Sequence, residues 1–166
     1  LKCGTVVEVR DIFYATPARL KFMKSPRAEV MAAVDIINQL SMAHPDIIFA
    51  LNVDEKKRLF YSSVGATENE LCLNRLRDVM GKDFVENSIE VESKRDDMSL
   101  TGYVSLPTFN KGNARSQFFL VNGRPVRDKL IFGALKAVYQ DFLSRDRFPL
   151  VVLFLLLLVI VLRLRK

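Results

Sequence analysis

The 166 residues include one histidine, His44, and two cysteines, Cys3 and Cys72. Two separated cysteines, no C-x-x-C pair and one imidazole leave no ligand set for a zinc ion. Free thiols in a reducing cytoplasm are the simplest account of the two cysteines. No motif surrounds either one, which removes a Cys–His nucleophile pair. His44 stands before Pro45, where it caps or packs a helix end rather than catalysing. An internal repeat is also missing. So is a full membrane span: Leu150–Leu162 is uninterrupted Leu, Val, Ile and Phe ahead of Arg163, Leu164, Arg165 and Lys166, but a span takes about 20 apolar residues. With Pro149 in front and many β-branched residues, this run reads as buried strand, with no membrane partner. The chain also has no starting methionine and enters a strand pattern at once, as a fragment of a longer protein does.

What remains is the composition of a folded protein, 49% hydrophobic and 27% charged, long enough to bury a core. The formal net charge is +6 with a pI near 9.5, and its distribution matters more than its size. Between Pro107 and Lys136, Lys111, Arg115, Arg124, Arg127, Lys129 and Lys136 face a single acid, Asp128. Such a focused patch attracts polyanions, although a solvated face satisfies the same count.

Along the chain, the valine-rich Thr5–Phe13 predicts a strand. Arg19, Lys21 and Lys24 then surround Leu20, Phe22 and Met23. Ser25-Pro26 predicts a capped helix start, with Val30, Ala33, Val34, Ile37 and Leu40 on its buried face and its end near His44. Ile47–Val53 and Leu59–Ser63 flank a charged turn, Asp54–Lys57, and predict a hairpin. Gly65-Ala66 breaks the pattern and marks a domain boundary, giving units 1–66 and 67–166. Thr67-Glu68-Asn69-Glu70 is a capping box before a helix that stops at Gly81. Strands are predicted at Ser88–Glu92 and Met98–Leu106, with Pro107–Asn113 as a loop. The mixture of strands and helices is that of an α+β fold.

The stretch QFFLVNGRPVRDKL, Gln117–Leu130, organises the second unit. Phe118–Val121 reads as a buried strand, and Asn122-Gly123 as a turn needing positive φ. Asp128 caps a helix whose apolar face is predicted as Ile131, Ala134, Leu135, Val138 and Phe142. A stiff strand–turn–helix thereby carries Arg124, Arg127 and Lys129, cations that suit phosphate oxygens. Arg124 could equally brace its own turn. Base readout is not evident, so the expected binding is weakly sequence-dependent and salt-sensitive. Arg124, Arg127, Lys129, Lys111, Arg115 and Lys136 are the candidate DNA-binding residues; no catalytic or metal-binding residue is predicted.

Gly4-Thr5 with Asp11-Ile12-Phe13-Tyr14-Ala15-Thr16-Pro17-Ala18-Arg19-Leu20-Lys21-Phe22 resembles the GT…DLFYNTPARRKF segment of the MutL mismatch-repair proteins, with Ala15 at the usual Asn. Val121-Asn122-Gly123-Arg124 with Arg127-Asp128 is similar to the VNGR…RD segment of that family. The resemblance covers about Gly4 to Phe154. It implies the C-terminal part of a GHKL-type ATPase domain (an α/β sandwich) over residues 1–66. Residues 67–166 would be a transducer domain like domain 2 of ribosomal protein S5, a mixed sheet with helices packed on it. The Mg-ATP motifs of that family lie upstream, so ATP and Mg belong to the parent protein, and this piece is expected to be no enzyme by itself. Arg19, Lys21 and Lys24 would surround the nucleotide site or the interdomain seam. The family's NVHPxK segment is not found. LVIVLRLRK, Leu158–Lys166, stands in its place, with Lys166 at the position of the lysine that reaches ATP. The implied partners are DNA, the upstream part of the same ATPase domain, a MutS-like mismatch-recognition protein and a second copy of the parent, in the cytoplasm. The alternative is an S5-like nucleic-acid-binding module without ATPase coupling.

Overall fold

The computed structural model describes residues 5–157. Pro17–Phe22 forms a 3-10 turn, and α1 spans Pro26–Ala43. The Ser25 hydroxyl accepts from the Ala28 N–H, Pro26 needs no donor at the first helical position, and Glu29 accepts from the Lys24 N–H at 2.9 Å. At the other end the His44 N–H donates to the Leu40 carbonyl, a capping role. Strands β1 (Phe49–Val53) and β2 (Lys56–Tyr61) make the predicted hairpin. Its turn is tighter than predicted: Asp54 and Glu55 both take positive φ, the geometry that matches the twist of paired strands.

Thr67 caps α2 (Glu68–Met80) by accepting from the Glu70 N–H at 3.2 Å, while the Glu70 carboxylate accepts from the Ala66 N–H at 2.8 Å. The reciprocal pair reaches one residue further back than the usual box. Gly81, at φ 93°, ends α2 and starts the short α3 (Lys82–Glu86). Next come β3 (Ser88–Arg95) and β4 (Met98–Ser105), the two-residue β5 (Asn110–Lys111) inside the expected loop, and β6 (Gln117–Val121). Then follow β7 (Arg124–Pro125), α4 (Lys129–Tyr139), β8 (Phe148–Pro149) and β9 (Val151–Leu157).

The main sheet has the order β3-β4-β9-β6-β7. All its pairings are antiparallel except β6 with β9, which run parallel because α4 carries the chain between them. The described part of the apolar run, Val151–Leu157, is thus the central strand, and residues 158–162 of the run lie outside the described residues; Val151 and Val152 are buried, as expected where both faces are covered. Met42 of α1, Leu76 of α2, Phe84 of α3, Leu120 of β6, Leu150 and Val152 form one buried cluster. The result is an α+β fold with a mixed sheet, as read from the sequence.

Three expectations fail. Leu40, expected on the buried face of α1, is exposed, and Ser41 and Met42 beside it are buried instead. Thr5–Phe13 is not a strand; Val6 and Val7 are almost fully exposed, and no neighbouring strand among the described residues pairs with them. Valine content favours an extended chain, but a strand exists only once its backbone groups find a ladder. The buried face of α4 is also rotated from the prediction. Ile131, Phe132, Leu135 and Tyr139 turn inward, while Ala134, Val138 and Phe142 are exposed. Three- and four-residue spacings share so many positions on a short helix that the sequence left its orientation undecided.

Candidate functional site

A cleft of about 1100 Å³ opens between α4, the loop after it, and the turn entering β6. Each wall is pinned. Tyr139, at the end of α4, donates its hydroxyl to the Ser105 carbonyl at 2.7 Å, and Ser105 Oγ accepts from the Leu150 N–H at 3.0 Å. Gln117 Nε2 donates to the Pro149 carbonyl at 3.1 Å, tying the start of β6 to β8. The Asp128 carboxylate accepts from the Leu130 N–H at 2.7 Å and caps α4. Asn122 reaches from the turn to β9, donating to the Leu157 carbonyl and accepting from its N–H at 2.8 Å. The turn residues Asn122 (φ 47°) and Gly123 (φ 74°) have the predicted positive φ.

Six cations line the cleft: Arg115, Arg127, Lys129, Lys136, Arg145 and Arg147. Among the described residues, the acids on its walls are Asp35 and Asp141. All six are exposed, and none of them is in an ion pair within 4.0 Å among the described residues. Arg127 and Lys129 also flank the first turn of α4, where unpaired N–H groups and the helix dipole add positive potential. Cations there oppose the dipole preference of the helix, so the placement costs local stability. Ser144 Oγ donates to Asp146 at 2.7 Å. That bond and the residue's own backbone N–H, with a smaller contribution from Arg147, hold the Asp146 carboxylate below its usual range. The floor is less polar, with Phe132, Leu143 and Phe148 among its residues.

Of the six candidates read from the sequence, Arg115, Arg127, Lys129 and Lys136 meet in this cleft, and Arg124 and Lys111 do not line it. Arg124 lies on the exposed edge strand β7, where among the described residues its side chain neither braces the turn nor pairs with an acid. Lys111, on β5, donates to Ser116 Oγ at 3.3 Å. Arg145 and Arg147 were missed. Their signal was the run Ser144-Arg145-Asp146-Arg147, in which the intervening acid lowers the apparent charge and the folded chain turns both arginines the same way. Lys166 lies outside the described residues. No helix of the described residues is long and apolar enough to cross a membrane.

Residues 76–159, half of the chain, match the family described as DNA mismatch repair protein, C-terminal domain. The DNA mismatch repair protein MutL of Brucella abortus (strain S19) is 50% identical over 157 residues, 95% of this chain and 25% of its own length. MutL of Paramagnetospirillum magneticum is 47% identical over 152 residues, covering 92% of this chain and 25% of that protein. The chain therefore spans about a quarter of the length of these relatives. Among solved structures, the Aquifex aeolicus MutL ATPase domain complexed with ADP aligns with a TM-score of 0.66 at 23% identity. That alignment covers 90% of this chain and 51% of that one. A structure described as the N terminal domain of a DNA repair protein aligns with a TM-score of 0.69 at 22% identity, covering 87% and 47%. These structures share the fold. Taken with the family match and the close relatives, they establish that this chain belongs to the MutL family of DNA mismatch repair proteins.

Proposed function

We propose that this chain is the DNA-contacting part of a MutL-type mismatch-repair protein and that its cleft holds the phosphate backbone of nucleic acid. The observation carrying this reading is the gathering of six exposed cations around one concavity against two acids. Like charges crowded together repel one another, and a fold keeps such a cluster where a polyanion supplies the missing counter-charge. Contacts to phosphate carry no base sequence, so affinity should depend on salt far more than on sequence.

In the same reading residues 1–66 are the end of the ATPase unit and residues 67–166 the transducer, which passes nucleotide state to the cleft. ATP and Mg²⁺ belong to the upstream part of the parent. The cleft does not fit the cation: among the described residues no group of three or more His, Cys, Asp or Glu side chains is placed to hold a metal ion. A MutS-like protein and a second parent copy are the partners in this reading.

The test is fluorescence anisotropy with a labelled oligonucleotide across a salt series. The double variant R127E/K129E should lose at least tenfold in affinity at low salt. Its salt slope should fall by about two, one unit for each phosphate contact removed. An unchanged affinity in the folded double variant overturns the assignment.

A further inference from the structure

We propose that Asp35 is an electrostatic counterweight that holds down the affinity of the cleft for polyanions. This rests on reading the cleft as a phosphate site. The other lining residues lie between Ala114 and Pro149, whereas Asp35 comes from the middle of α1, far earlier in the chain. α1 is anchored independently of the cleft: Met42 sits in the buried cluster and the helix packs against β7. Asp35 is exposed, and among the described residues no Lys or Arg nitrogen lies within 4.0 Å of its carboxylate. It is therefore not committed to an ion pair that fixes the wall. It faces a cationic cavity as an uncompensated negative charge, and a phosphate entering that cavity meets it as a like charge. The helix that carries it belongs to the segment before Gly65, so its position relative to α4 sets how strongly the cleft attracts an anion.

The charge ladder at position 35 tests this on the chain as it stands, by anisotropy with a labelled oligonucleotide at low salt and circular dichroism to confirm folding. Asp35→Asn should tighten binding about threefold, the effect of removing one like charge several ångströms away in a largely aqueous setting. Asp35→Lys should tighten it further, and Asp35→Glu should leave it unchanged. The gain should shrink towards high salt, where the screening length falls to about 3 Å at 1 M. Asp35→Asn binding no tighter than the unsubstituted chain, while R127E/K129E loses affinity, overturns the counterweight and leaves the phosphate site standing. Unchanged affinity in R127E/K129E overturns the site and the counterweight with it.

Discussion

Arg75 is 1% exposed, and among the described residues no carboxylate lies within 4.0 Å of it. Its guanidinium donates instead to the carbonyls of Ser41 (2.7 Å), His44 (3.4 Å), Pro45 (3.3 Å), Ile47 (2.6 Å) and Ser62 (3.1 Å). Those carbonyls end α1, lead into β1 and follow β2, so one side chain of α2 satisfies the loose backbone of three neighbouring segments. The rings of Phe49 and Tyr61 lie against it at 5.4 and 5.7 Å, within cation–π range. Burial lowers its pKa, and Asp78, Tyr61 and Asp46 oppose that shift. Arg75→Met should lower stability by about 3 kcal/mol, because the buried carbonyls lose donors that water cannot replace. Urea denaturation should give a lower midpoint at unchanged m-value, and Arg75→Lys should recover less than half of the loss. An unmoved midpoint would show that water substitutes for the guanidinium. Nothing in the spacing around Arg75 announced this role.

At the scale of elements, the contact that sets the sheet is β4 against β9. Gly102, at φ 141°, faces Leu153 in that pairing, and a Cβ there would lie 2.1 Å from the Val152 carbonyl oxygen. No rotamer relieves a clash with backbone, so Gly102→Ala must push the two strands apart or break the ladder locally. The expected cost is about 3 kcal/mol or more, read as a lower thermal midpoint and faster hydrogen exchange at Val152 and Leu153. Protection equal to that of the parent chain would refute the close approach. Caps and turns were legible beforehand: Ser25, Thr67 and Asp128 all accept the backbone N–H that their positions predicted. Such motifs are complete within four residues and need no distant partner. The strand at Thr5 and the orientation of α4 both required a neighbour, and both were misread.

Across the whole molecule, burial raises the pKa of Tyr61, Tyr103 and Tyr139, and that of Cys72, which Glu90 pushes up further. The native state then keeps protons that the unfolded chain gives up. Stability from the tyrosines is present in full below their ordinary value of 10.0 and is lost as pH rises through the raised native values. Cys72 contributes with the same sign from its ordinary value of 9.0 upward. Urea midpoints should hold level from pH 7 to about 8.5 and fall steadily towards pH 11. Tyr139→Phe should flatten part of that fall; a profile that is level to pH 11 in both proteins would contradict it.

The amino-acid order alone specified the helix starts after Ser25, Thr67 and Asp128, the hairpin of β1 and β2, the buried apolar strand and the location of the surplus positive charge. Each depends on residues close together in the chain. Which cations share a cleft was decided by the tertiary structure. α4 crosses from β6 to its parallel neighbour β9, bringing Arg145 and Arg147 round to Arg127 and Lys129 while Arg124, on the edge strand β7, does not line the cleft. The same packing delivers Asp35 and seats Arg75 among carbonyls up to 34 residues away. Electrostatic potential and hydrogen bonding act through space, and only the folded backbone sets those distances.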